Sequence, residues 1–166
     1  FFINLNQSNS SYHFYSLNLL NNNNHVDNYL EINHVKKNTT SSTYQKNILD
    51  DKSKCIFYAK AKIFQNSTNS EVIQSNKNLV LSDKAVVHSN PQLEIHNNDV
   101  KCSHGSTTGE LDESMLFYMR SRGIKLSDCK KIILDGFANS IINNIKVKSI
   151  KNDVQKKVNS WLNNVN

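Results

Sequence analysis

The 166-residue chain contains one proline, four glycines, three cysteines and one tryptophan. Each shortage closes off a class of structure. Three cysteines, an odd number at wide and irregular spacing, make no disulfide framework, and a reducing compartment is the simpler inference. No apolar run approaches the ~20 residues of a membrane span, so no membrane partner is expected. There is no glycine-rich phosphate loop, no serine-centred elbow and no His-x-x-x-His ladder. With Gly and Pro so scarce, another residue must make the turns. Asn fills 27 of the 166 positions, far above ordinary usage. A run such as Asn21–Asn24 reads as the low-complexity filler of an AT-rich genome, and Asn is expected to serve many turns.

The net charge is +6 and the isoelectric point about 9.2. Such a balance suits a phosphate-bearing partner or an acidic surface, or simply a scatter of Lys on solvated faces. The lysines are spread, apart from a mild cluster at Lys146, Lys148, Lys151, Lys156 and Lys157. No aromatic residues interleave with that cluster as a stacking platform would need, so nucleic acid is not an expected partner.

Up to Gly109 the chain reads as short strands and Asn-rich turns. Alternation is clearest at Ile56–Phe64, where Phe57, Ala59, Ala61 and Ile63 share one face and Tyr58, Lys60 and Lys62 the other. The small Ala residues suit a narrow interior between closely approaching sheets. Leu30, Ile32 and His34 likewise share a face. Further strands are read at Tyr12–Leu19, Thr43–Leu49, Val72–Ile73, Asn78–Leu81, Ala85–Val87, Gln92–Ile95 and Val100–His104. Asn-Gly and Asp-Gly hairpin turns are absent from this half, and no stretch fits a crossover helix. Many short strands without either point to a β-helix, each rung covering the last, with a β-sandwich as the alternative.

After Gly109 the period becomes helical. Asp112 is the expected cap of a first helix running to Arg122, with Gly123 as its left-handed stop and Leu111, Met115, Tyr118 and Met119 as its apolar stripe. Ser127 is the expected cap of a second helix, with Cys129, Ile132, Ile133, Phe137, Ile141 and Ile145 on its buried side. A third is expected over Lys151–Leu162, with Ile150, Val154, Val158, Trp161 and Leu162 inward. Residues 1–109 thus form a β portion and 110–166 a helical domain.

Cys102 and His104 are the one place where a thiol and an imidazole stand two residues apart. On a strand, i and i+2 share a face with Cβ atoms roughly 6–7 Å apart, so the pair can converge on one ion while Ser103 points away. Thiolate plus imidazole suits iron, zinc or an iron–sulfur species. Two ligands are too few for a closed site. The remainder must come from a partner or from His34, His88 and His96. A nucleophile–base dyad is disfavoured, because neighbours on one strand do not lie over each other. Packing or coincidence is the structural alternative. Cys55 and Cys129 read as structural, and His13 and His25 as solvated.

Several blocks resemble the SufB/SufD family of iron–sulfur cluster assembly proteins. The most specific is Val100-Lys101-Cys102-Ser103-His104-Gly105-Ser106, leading into Asp112-Glu113 and then Leu116-Phe117-Tyr118 and Arg120-Ser121-Arg122-Gly123. Gln74–Ser82, Asn90–Ile95 and Asp135-Gly136-Phe137-Ala138 are similar to family blocks in the right order. Cys102-Ser103-His104 stands where SufB has a Glu-His-Glu type sequence, which resembles the SufD form. Cys129, where the family usually has Ala, is a departure read as packing.

The resemblance covers roughly Tyr29–Leu162. It implies a right-handed parallel β-helix followed by a small helical domain, in a C-terminal part of a longer protein; a start at Phe1 fits a fragment or processed product. It implies a scaffold, not an enzyme, that pairs with a SufB-type subunit and docks a SufC-type ATPase. A transient cluster shared with the SufB-type partner would use His104 as ligand and Cys102 as a supporting or alternative one. The Asn-rich composition and this pathway together suggest a plastid-type organelle, or else the cytoplasm. The rival readings are a β-helix enzyme acting on carbohydrate, which would need clustered carboxylates, and a purely structural partner with no ligand role.

Overall fold

Five Asx residues set the corners of the chain. Asn9, Asn22, Asn38, Asp51 and Asn69 hold left-handed φ values between 53° and 64°, a conformation that short amide and carboxylate side chains tolerate through local hydrogen bonds. The corners stack. Asn38 Nδ2 donates to Asn9 Oδ1 at 3.2 Å, and Asn69 Nδ2 donates to Asn38 Oδ1 at 3.0 Å. Asparagine is therefore an architectural residue here, and more than compositional filler.

The computed structural model describes residues 1–164. Eight strands come first: β1 (Phe2–Leu5), β2 (Ser11–Leu20), β3 (His25–His34), β4 (Thr40–Leu49), β5 (Lys54–Ile63), β6 (Ser70–Val80), β7 (Val86–Ile95) and β8 (Val100–Gly109). Each pairs in parallel with the strand two along, giving one sheet in the order β1-β3-β5-β7 and another in the order β2-β4-β6-β8. Ser11 lies beside Thr40, Thr40 beside Glu71 and Lys54 beside Val86, a repeat of about thirty residues. The result is a parallel β-solenoid of four coils, two strands to a coil, as the lack of hairpin turns implied.

Seven of the strands are 10 or 11 residues long, longer than the fragments read from the sequence. The difference lies in what the second sheet buries. The inward face of β5 is apolar, with Cys55, Phe57, Ala59, Ala61 and Ile63 almost wholly enclosed. The inward faces of β4 and β6 carry Gln45, Asn47, Gln74, Asn76 and Asn78, all buried. Amide groups inside a strand erase the apolar alternation, so β6 looks like two pieces. In β7 the inward Ser89 and Pro91 have the same effect; Pro is admissible because β7 is an edge strand.

Three helices follow: α1 (Glu113–Ser121), α2 (Leu126–Ile142) and α3 (Lys148–Leu162). The last two positions of the helical domain expected over 110–166 lie outside the described residues. Asp112 caps α1, accepting from the N–H of Ser114 and Met115, and Gly123 stops it at φ 86°. The expected apolar stripe of α1 is only partly covered: Leu111 packs against the core and Met119 is half-buried, but Met115 and Tyr118 are exposed and no residue of the helix is fully buried.

The cap of α2 falls at Lys125, without a side-chain hydrogen bond, and Ser127 lies inside the first turn. Of its expected inward residues, Cys129 and Ile141 are buried and Phe137 and Ile145 pack half-buried against the core, but Ile132 is exposed, and the row Leu134, Ala138 and Ile142 is buried instead. The cause is Ile48, which projects from the outer face of the second sheet and is fully enclosed by Leu134, Ala138, Ile142, Val158 and Leu162. Within α3, Val158 and Leu162 are inward as expected, and Ile150 is exposed. The helices thus share one apolar cluster with the solenoid, each large side chain contributing ~1.5–3 kcal/mol on burial.

Candidate functional site

The site is built on β8, the last strand of the second sheet. β8 pairs with β6 along one edge only. The register sets Cys102 beside Val72, His104 beside Gln74 and Ser106 beside Asn76. Val72, Gln74 and Asn76 are buried, so Cys102, His104 and Ser106 continue the inward rows into the last coil. Lys101 points the other way and pairs with Glu71 at 3.3 Å. The structure therefore puts Cys102 and His104 on one face, with Ser103 on the opposite one.

The two donors differ in setting. Cys102 is half-buried against Ala61, Ile63, Val72 and Leu93. Burial pushes its thiol up, partly opposed by a hydrogen bond from the backbone of Val72, so the neutral thiol is favoured until a cation or base helps remove the proton. His104 is exposed at the open end of the last coil. Beside them, the Ser106 hydroxyl lies 2.8 Å from Ser89 Oγ and 3.2 Å from Asn76 Oδ1, tying β8 across to β7 and back to β6.

The other histidines do not join the pair. His34 is fully buried, its Nδ1 2.8 Å from Thr39 Oγ1 and its Nε2 2.8 Å from Ser41 Oγ. Both ring nitrogens are committed, and burial pushes the imidazole down to about 4. His88 is exposed and lies in register with outward Ile56. His96 belongs to an ion cluster in which Lys60, Lys62 and His96 together hold the Glu94 carboxyl well below the usual range. Among the described residues no three His, Cys, Asp or Glu side chains converge on a possible ion position. Cys55 and Cys129 are buried, and burial raises the Cys55 thiol to about 11, with Asp27 adding to the effect.

Three carboxylates do meet one cavity, of about 300 Å³, where Asp83, Glu110 and Glu113 lie with Lys130. All three acids are exposed. A glycosidase needs one carboxyl desolvated enough to stay protonated beside an ionised one, and this cavity does not provide that asymmetry. Among the described residues no helix is long and apolar enough to cross a membrane.

The open edge at β8 and the polar rows behind it escaped the sequence reading. Their trace is the thirty-residue repeat, which aligns Gln74 with His104 once the coil length is known.

Residues 1–137 match the SufBD core domain of the SUF system for FeS cluster assembly. The chain is 33% identical over 131 residues to the iron–sulfur cluster assembly protein SufD of Escherichia coli, covering 79% of this chain and 31% of that protein. It is 35% identical over 111 residues to the SufBD family protein slr0076 of Synechocystis, covering 67% and 24%. It is 33% identical over 89 residues to the chloroplastic protein ABCI7 of Arabidopsis thaliana, covering 54% and 19%. The chain thus spans about a third or less of the length of these relatives. A two-sheet parallel solenoid, a Cys-Ser-His segment on its last strand and a match over most of the chain agree: this chain belongs to the SufBD core family of the SUF iron–sulfur cluster assembly system.

Proposed function

We propose that this chain is the scaffold part of a SufD-type subunit, and that its last coil supplies half of a site where an iron–sulfur cluster is built in transit. The observation that carries the proposal is the placement of Cys102 and His104 in adjacent inward rows of β8, a strand with one open edge. The cluster is cargo, and its remaining ligands come from a SufB-type partner that covers this end. His104 is the primary donor, since it is exposed at the open end and imidazole is a common metal ligand. Cys102 supports it once its half-buried thiol is deprotonated. The chain performs no covalent step of its own, and ATP hydrolysis belongs to a SufC-type partner docked on the helices. Phe117 and Tyr118 of α1 are exposed and suit that contact. A plastid-type compartment fits the chloroplastic relative.

The test is reconstitution of the full-length protein with SufB- and SufC-type partners, wild type against His104→Ala. Iron and acid-labile sulfide per complex are expected to fall by more than half, with assembly intact. Unchanged cluster content in an intact complex removes His104 from the site and leaves a purely structural partner. A pull-down with a Phe117→Ser, Tyr118→Ser double variant is expected to lose the ATPase; retained binding places that interface elsewhere.

A further inference from the structure

Three neighbouring rows of polar side chains run through the second sheet from β4 to β6 to β8. In the row Asn47, Asn78 and Thr108, Asn47 Nδ2 donates to Asn78 Oδ1 and Asn78 Nδ2 donates to Thr108 Oγ1 at 3.1 Å. In the row Gln45, Asn76 and Ser106, Asn76 Nδ2 donates to the backbone carbonyl of Gln45 at 3.5 Å, and Ser106 Oγ donates to Asn76 Oδ1 at 3.2 Å. Each row thus links its β6 amide to a β8 side chain. The third row is Thr43, Gln74 and His104. Here Gln74 is 2% exposed and neither Oε1 nor Nε2 has a partner, and Thr43 Oγ1, fully buried, has none either. A buried polar group left unmet costs more than a hydrogen bond gains, so these three orphaned atoms call for a purpose.

We infer that Gln74 is the positioning residue for His104: its side-chain oxygen accepts the N–H of one imidazole nitrogen and leaves the other nitrogen's lone pair facing the open end. Strands in register stand ~4.8 Å apart, so the two side chains are neighbours in their row. Rotation about the terminal torsion of Gln74, which is soft, brings Oε1 to His104 and Nε2 to Thr43 Oγ1. All three orphaned atoms are then met. The opposite orientation, with Nε2 donating to the ring, occupies a lone pair and leaves the second nitrogen protonated. A histidine that ligates a metal instead donates its other N–H to an acceptor that fixes tautomer and ring orientation. Gln74 is that acceptor, buried and uncharged. The consequence for cluster assembly rests on the proposed function; the hydrogen bond itself does not.

The experiment uses ¹⁵N-imidazole NMR of His104 in the full-length protein, with Gln74→Leu and Gln74→Met removing the acceptor and Gln74→Glu keeping it. Wild type and Gln74→Glu are expected to hold His104 in one tautomer, and the two apolar variants to return it to a mixture. The same tautomer ratio in wild type and both apolar variants overturns the inference. A second readout is Fe²⁺ affinity in the complex with the SufB-type partner, expected to drop about 10–100-fold in the apolar variants. A changed tautomer with unchanged Fe²⁺ affinity upholds Gln74 as the positioning residue and overturns the ligand role of His104.

Discussion

The third coil and the last coil carry the same rows of side chains in the same register, and they differ in what lies on their far side. Phe57, 1% exposed, stands beside Ser89; Ile63, wholly buried, stands beside Ile95, which is 44% exposed. Buried Val72 and Gln74 stand beside half-buried Cys102 and exposed His104. The third coil is sandwiched and the last is covered on one side only. A solenoid therefore presents inward-row side chains such as Cys102 and His104 at its end simply by stopping: the residues that would be core one coil earlier become a surface. The same geometry leaves an apolar side chain, Ile95, exposed among them, as suits a face that a partner covers.

Substitutions in matching rows separate the two coils. Phe57→Ala, in the closed coil, is expected to destabilise the fold by about 3–5 kcal/mol, against about 1 kcal/mol for Ser89→Ala, which removes one partner of a hydrogen bond. Equal midpoints in chemical denaturation would mean that the last coil is as closed as the third.

A second contrast is between buried His34 and exposed His104. The His34 imidazole sits at about 4 when folded against an ordinary 6.5. Between those values the unfolded chain takes up a proton that the folded chain refuses. Stability from this group is therefore complete above pH 6.5 and is lost as pH falls towards 4, by roughly 3 kcal/mol in all. Denaturation midpoints across that window should show the slope, and His34→Gln should flatten it.

The amide rows give a smaller effect. Asn47→Ala strips partners from Asn18, Gln45 and Asn78 and is expected to cost about 2 kcal/mol. Thr108→Val, in the same row on the open coil, should cost less than about 1 kcal/mol. His104→Ala, which takes away the partner inferred for buried Gln74 Oε1, should likewise cost about 1 kcal/mol, and on the proposed role it should also lower the iron held by the complex, readable by iron analysis beside thermal melts.

The parts of this fold that were legible in the sequence are those with apolar alternation or a defined cap. Phe57, Ala59, Ala61 and Ile63 announced β5, and Asp112 and Gly123 bracketed α1. The lack of hairpin turns pointed to the solenoid. Strand length was hidden where Gln74, Asn76 and Asn78 face inward, because buried amides interrupt the apolar alternation, and Asn76 and Asn78 are met by hydrogen bonds within and across coils. The face of α2 was hidden too, since it is set by Ile48, eighty-six residues upstream of Leu134. At the site, the shared face of Cys102 and His104 follows from strand geometry alone. The exclusion of His34 does not: only the structure brings Thr39 and Ser41 to both ring nitrogens.

Hydrogen–deuterium exchange along β8 reads directly whether the last coil is a half-site closed by a partner. In the full-length protein, amides of Val100–Gly109 should exchange faster than those of Ser70–Val80, and addition of the SufB-type partner should protect the former selectively. Unchanged exchange across Val100–Gly109 in a complex shown to have formed would contradict closure by a partner.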